Sequence, residues 1–437
     1  MSNNDHHQTS HVGYGMAELG VSAIESFLRL YLLLFLTKKV GLSPAAAGYA
    51  VSIGILWDAF ADPIIGQISD KTRSRWGPRL PWIAAGAPLL GLAFVLIFRV
   101  GHIDEFFSPS YAFLYITLLN IILNTAMSIV SVPHLALGGE LAPHNAERRT
   151  SIYAWRSAMT LLGFLVGILI PASVNALGYE LANADFIFAV VIALIMLVAV
   201  TITIISCRKN TSKAIEEISS PRPVMGSIVR GNVAVVMAAF FVATLAQGLN
   251  SALAMYYYLI TLKLTEQDIG KILIVFIVSL CLTLPLWVKW SARHSKPRLV
   301  AMGTIGLGVL TCVFYPFFSP GHLFGPYLMA IAGGALLGSS GLLESMLVDT
   351  AESQQISAAS MGAVFGLWKF TAKAARAGAI AGAGNLLAAV GYTANGPLDP
   401  SVATSIGWLF GPAVGTLFVM SGLILLWRPI LNRNKPL

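Results

Sequence analysis

The residues of this chain that could do chemistry lie among apolar neighbours, at helical spacing. Asp58 and Asp62 stand four apart in the run Trp57-Asp58-Ala59-Phe60-Ala61-Asp62-Pro63, so on a helix they share one face. Two carboxylates in apolar surroundings are costly and turn toward a cavity or a partner. They can supply hard oxygen ligands to a small cation, or hold one proton between them, because like charges raise one member's proton affinity. They can equally bond a neighbouring helix end or a basic side chain, and the chemistry alone leaves both uses open. Asn124, Ser128 and Ser131 follow at steps of four and three and make a polar stripe. Such small polar groups can ligate, or can cement helix packing through backbone carbonyls. Glu18, Ser22, Glu25 and Arg29 form another stripe, within which Glu25 and Arg29 can be a plain i,i+4 pair. Lys369, Lys373 and Arg376 form a third. Three cations on one face of a low-dielectric core need partners. Glu18, Glu25, Glu344 and Asp349 can supply them internally, and an anionic substrate is the other possibility. Trp368 and Tyr256, Tyr257 and Tyr258 could stack on the C–H face of a sugar, or the tyrosines could belong to an interfacial belt.

The elements that must position these groups follow from composition. Of 437 residues, 56% are hydrophobic and 11% charged, less than half the usual charged share of a soluble domain. A water-soluble fold could not cover its surface with so little charge, so lipid is the expected solvent. Periodicity and length predict an all-α membrane protein with twelve spans, roughly 13–36, 46–70, 81–100, 111–138, 150–175, 184–207, 231–262, 267–288, 300–318, 323–350, 358–391 and 402–427. Of the 28 Lys and Arg residues, 18 fall on the side that holds both termini, 5 on the other and 5 within spans. By the positive-inside rule both termini are then cytoplasmic, and the net charge of +8 reflects topology and anionic lipid contact rather than nucleic acid. The first dozen residues are polar and lack a basic flank, so no cleavable signal peptide is expected. Cys207, Cys281 and Cys312 lie in or beside apolar runs and suggest neither disulfides nor a metal site. The longest polar stretch, 208–230, divides the chain into a half at 1–207 and a half at 231–437. That is the parallel-repeat plan of major facilitator proteins, in which substrate binds between the halves near the midplane.

The helix-two segment carries a sharper resemblance. Asp58-x-x-x-Asp62-Pro63-x-x-Gly66 is followed by Asp70, Thr72, Arg75 and Gly77, then Pro81-Trp82. This is similar to the signature of the glycoside–pentoside–hexuronide:cation symporter family. Val132-Pro133 to Glu140-Leu141 with Arg148-Arg149, Arg156 in helix five, and Lys373 eighteen residues before Gly391-Tyr392 extend the likeness. The resemblance implies the major facilitator fold in two six-helix halves. It implies a coupling cation, Na+ or H+, at Asp58 and Asp62 with help from Ser128. Lys373 would neutralise that pair once the cation has left. Glu18 falls where the family has a sugar-binding aspartate, and a carboxylate suits a sugar because it accepts two hydrogen bonds from neighbouring hydroxyls. Ser131 stands where the melibiose-transporting branch carries another such aspartate, a departure that puts galactoside recognition in doubt. Further expected substrate contacts are Asn124, Arg156, Trp368, Lys369, Lys373 and Arg376. The loop holding Asp70, Arg73 and Arg75 resembles the gating loop of major facilitator proteins, although plain positive-inside anchoring accounts for it too.

These observations predict a secondary transporter, with symport of a small polar solute such as a glycoside or sugar acid. No G-x-x-x-x-G-K-[ST] signature is present, which argues against ATP drive within this chain, and no constellation for hydrolysis or redox chemistry is apparent. Beyond a coupling ion, no cofactor is expected. The expected partners are the solute and a plasma or bacterial inner membrane, with the chain a monomer. A lipid carrier of the same fold and a membrane sensor that does not transport are the competing functions.

Overall fold

The computed structural model describes residues 3–100, 109–141, 146–176, 184–208, 231–354, 361–393 and 399–426. All of the expected linker 208–230 after Arg208, part of the loop near 352–357 and the C-terminus from 427 lie outside the described residues, as do the side chains of Arg148 and Arg149. The first compact unit, Met1–Glu217, contains α1 (Asn3–Lys38), α2 (Pro44–Lys71), α3 (Leu80–Arg99), α4 (Pro109–Glu140), α5 (Ala146–Ala176) and α6 (Ala184–Cys207). The second, Ile218–Leu437, contains α7 (Asn232–Tyr256), α8 (Glu266–Ser291), α9 (Lys296–Phe314), α10 (Phe324–Ser353), α11 (Met361–Ala389) and α12 (Pro400–Leu425). Eleven of these are long and apolar enough to cross a bilayer. The exception is α11, whose 29 residues suffice in length but include Lys369, Lys373 and Arg376.

Local chemistry starts several helices. Ser43 caps α2 by accepting from the Ala46 amide at 3.3 Å, with Pro44 in first position. Thr265 caps α8 through the Asp268 amide at 3.2 Å. Asp399 caps α12 through Ser401 at 2.9 Å, and that backbone N–H holds the exposed carboxyl below its usual range. The turn before α3 uses Gly77 at φ 80°, a backbone conformation that costs glycine least.

Within the first unit α1 packs on α5 and α6, α2 on α4, and α3 on α4 and α6. Within the second, α7 packs on α11 and α12, α8 on α10, and α9 on α10 and α12. Adding six to each index maps one pattern onto the other, so the chain is a repeat of two six-helix bundles. Small residues let α1 and α5 approach closely. A Cβ on Gly163 would collide with the Leu19 carbonyl oxygen, and one on Gly167 with Ser26 and the Ala23 carbonyl. The outward faces stay apolar, with Leu282 70% and Ile205 69% exposed, as lipid-facing side chains must be.

Candidate functional site

On α2, Asp58 and Asp62 project toward α4, where the Ser128 hydroxyl meets both. It donates to Asp62 Oδ1 at 2.6 Å and lies closer still to Asp58 Oδ1. Asp58 and Ser128 are buried. The two helices are held in register by Trp57, whose indole Nε1 donates to Thr125 Oγ1 at 2.9 Å. They approach closely because Gly54 has no Cβ to strike Asn120, which would lie 2.9 Å away. Pro63 removes one amide, so the carbonyl of Ala59 lacks its usual helical donor at this level. Asn124, one turn before Ser128, is buried and donates to the Asn120 carbonyl at 2.8 Å. Ser131 is half-buried on the next turn. The donor set is therefore all oxygen, which suits a hard monovalent cation or a proton.

A second cluster joins α1, α4 and α5. Arg156 Nε donates to Glu18 Oε2 at 2.8 Å. His134 Nδ1 lies 3.5 Å from the same oxygen, and its Nε2 lies 2.8 Å from the Tyr14 carbonyl. Tyr14 stacks on His134 at 4.4 Å between ring centroids and donates its hydroxyl to the His134 carbonyl at 3.0 Å. Gly138 leaves room for that ring, since a Cβ there would lie 2.8 Å from Tyr14 Cζ. Glu18 and Arg156 are among the residues expected from sequence; His134 and Tyr14 are not. One more step along the stripe Asn124, Ser128, Ser131 reaches His134, an ionisable residue in an apolar helix. Glu25 and Arg29 are the i,i+4 pair, at 2.6 Å.

The loop cluster between α2 and α3 is organised by Arg79. Its guanidinium bridges Asp70 and Glu140, the latter at 2.7 Å, and donates to Ser69 Oγ at 2.8 Å. Burial alone would lower its proton affinity, but the bonds to Glu140 and Asp70 outweigh that and raise it above the ordinary arginine value. Arg73 and Arg75 are exposed.

In the second unit, Lys373 and Arg376 are half-buried on α11 and Lys369 is exposed. Of the carboxylates expected to pair with this stripe, Glu18 holds Arg156, Glu25 holds Arg29, and Asp349 holds Lys296 at 2.6 Å. Two aromatic expectations are corrected. Trp368 is 5% exposed and stacks on Phe240 at 3.4 Å and 10°, within a core that includes Leu343 and Leu347. Its large apolar face is worth more against another ring than left open. Tyr256, Tyr257 and Tyr258 are buried too. Tyr257 stacks on Phe410 at 4.5 Å and donates to the Tyr315 carbonyl at 2.6 Å, so these rings form a core knot rather than a sugar platform or an interfacial belt.

A repeat of two six-helix bundles, apolar outside and with a buried aspartate and histidine inside, defines a multi-pass membrane protein of the major facilitator type. The family model described as MFS/sugar transport protein matches residues 13–433, and the chain belongs to that family, among the glycoside–pentoside–hexuronide:cation symporter-like proteins. An uncharacterized symporter of Synechocystis is 34% identical over 38% of this chain and 30% of its own length. A glucuronide carrier protein homolog of Escherichia coli is 24% identical over 97% of this chain and 93% of its own. The sodium-dependent lysophosphatidylcholine symporter 1 of mouse is 25% identical over 77% and 68%. The alignments span only about a third of the first two curated relatives. A solved bacterial homolog of the human lysosomal transporter Spinster, inward-facing and unoccupied, superposes with TM-score 0.74 over the whole of both chains at 10% identity, a likeness of fold.

Proposed function

We propose that this protein couples the transport of a sugar-like solute, a glycoside or sugar acid, to that of a cation held by Asp58, Asp62 and Ser128. One observation carries the reading: two carboxylates converge on one serine hydroxyl, which has a single proton to donate. Two carboxylates held this close raise the site's affinity for positive charge, and a Na+ or a proton that comes and goes would supply it. Lys373 would neutralise the pair after release. Glu18 and Arg156 would accept and donate to solute hydroxyls, with Asn124, Ser131, Lys369 and Arg376 contributing polar contacts. The positive stripe on α11 favours an anionic sugar such as a uronide, in line with the name of the glucuronide carrier relative. The reading further includes cytoplasmic termini in a bacterial inner membrane, a monomeric carrier, and a gate at Asp70, Arg73 and Arg75.

The experiment is uptake and counterflow of labelled methyl glucuronide and methyl glucoside in proteoliposomes, each with Na+, Li+ or a proton gradient. Asp58→Asn and Asp62→Asn should each abolish uphill accumulation while exchange persists. Undiminished uphill uptake in both variants would sink the cation site. A neutral glycoside that outcompetes the uronide, unchanged in Arg376→Gln and Lys369→Gln, would restore an uncharged sugar. Uptake of lysophosphatidylcholine and of neither sugar would favour the lipid carrier.

A further inference from the structure

The hydrogen bonding of His134 fixes more than its orientation. Its Nε2 lies 2.8 Å from the Tyr14 carbonyl oxygen, which can only accept, so Nε2 carries a hydrogen. The other ring nitrogen, Nδ1, faces Glu18 Oε2 at 3.5 Å. If neither carried a proton, the Nδ1 lone pair would point at a carboxylate, which repels it. One proton between them resolves this, either on Nδ1 as an imidazolium against the carboxylate, or on Glu18 donating to a neutral ring. Both members are well shielded: the His134 side chain is 2% exposed and that of Glu18 12%.

We propose that Glu18 and His134 form a proton-binding site separate from the Asp58 and Asp62 pair, and that Arg156 sets its occupancy. Arg156 donates to the same Oε2 at 2.8 Å. With the proton present, the trio carries one net positive charge. Without it the trio is neutral, with a lone pair facing a carboxylate. A solute carboxylate that engages Arg156 favours the protonated form, so an anion and a proton bind together. The surrounding elements add few competing charges. From α1 come Tyr14 and Glu18, from α5 Arg156 and, through its hydroxyl bond to the Leu135 carbonyl at 3.0 Å, Tyr153. Helix α3 has no titratable residue before Arg99. Helix α2 meets α4 through Asp58 and Asp62 at Ser128, six residues before His134. The coupling half of this inference rests on the proposed solute class; the proton site itself does not.

Nitrogen-15 NMR of the histidine-labelled full-length protein in lipid tests the site with no solute present. His134→Gln, whose side-chain amide can still donate to Tyr14, identifies the resonances by their loss. Between pH 6 and 8, Nε2 should be protonated and Nδ1 should carry or accept a hydrogen bond. In Glu18→Ala the Nδ1 signal should move to the position of a ring nitrogen with no partner, whereas in Glu18→Gln, where an amide donor remains, it should stay bonded. A hydrogen on Nδ1 alone, or an Nδ1 signal indifferent to Glu18→Ala, would overturn the site. A second measurement reads the coupling: vesicles loaded with a pH dye and given methyl glucuronide should acidify in the wild type, and in His134→Gln the acidification per labelled solute taken up should fall. An unchanged ratio of acidification to solute uptake in His134→Gln would overturn the coupling. Absence of any glucuronide exchange in the wild type would instead count against the proposed solute, leaving the NMR result to stand alone.

Discussion

At the scale of single residues, the carboxylate of Glu18 lies between two basic side chains with little access to water. It sits between Arg156 at 2.8 Å and His134 at 3.5 Å, and its side chain is 12% exposed. Removing one partner of such a pair costs more than the pair itself contributes, because the remaining charge stays away from water. Arg156→Gln is therefore expected to destabilise the protein by about 2–3 kcal/mol, below the full value for a buried pair because the Arg156 side chain keeps 27% exposure. Adding Glu18→Gln should restore most of that loss without restoring transport. Thermal unfolding of the purified variants reads the first result, and labelled exchange the second. A single variant as stable as the wild type would mean that Glu18 finds its counter-charge elsewhere. The acidic half of this site was legible in the sequence, since Glu18 interrupts an apolar run at a helical step. His134 was not legible, because its partner Tyr14 lies 120 residues away on α1 and no local spacing links the two.

At the scale of helices, the first unit depends on glycines that let backbones touch. Gly163 faces the Leu19 carbonyl, and a Cβ there would also lie 2.9 Å from Ser22 Cβ. On α11, by contrast, nothing lies within 4 Å of the place a Cβ would take on Gly382. Gly163→Val should cost about 1–3 kcal/mol as α5 is pushed off α1. Gly382→Ala should be neutral or stabilise by up to about 1 kcal/mol, since alanine is the better helix former. Equal melting temperatures for the two variants would refute close α1–α5 packing. The existence of twelve helices was legible because lipid allows only long apolar segments with satisfied backbones. Their irregularities were not. The stretch Gly338-Ser339-Ser340-Gly341-Leu342 is a 3-10 turn inside α10, and Tyr257–Thr261 and Leu409–Ala413 are π turns. These depend on what packs beside them. Gly338, for example, lies against Trp287, whose Nε1 donates to the Ala335 carbonyl at 2.7 Å. Helix α1 also begins at Asn3, ten residues before the expected start, because hydropathy marks where lipid begins rather than where the helix does.

At the scale of the whole molecule, the two units repeat one design down to their polar ends. In the first, Arg79 ahead of α3 binds Glu140 at the end of α4; in the second, Lys296 at the start of α9 binds Asp349 late in α10. Within its own unit, each pair lies among the loops where the sequence concentrates its basic residues, 18 against 5. Cytoplasmic loops retain Lys and Arg because moving them across the membrane is disfavoured, so that end is expected to face the cytoplasm. The imbalance comes from many loops at once, so reversing it would need changes at several of them. Two exposed positions report the orientation: Arg75 in the α2–α3 loop, and Lys39 just after α1 at the opposite end. With Cys207, Cys281 and Cys312 replaced by serine, Lys39→Cys should react with a membrane-impermeant maleimide in intact cells. Arg75→Cys should react only after permeabilisation. The reverse pattern would place the basic end outside, against the topology inferred from the charges.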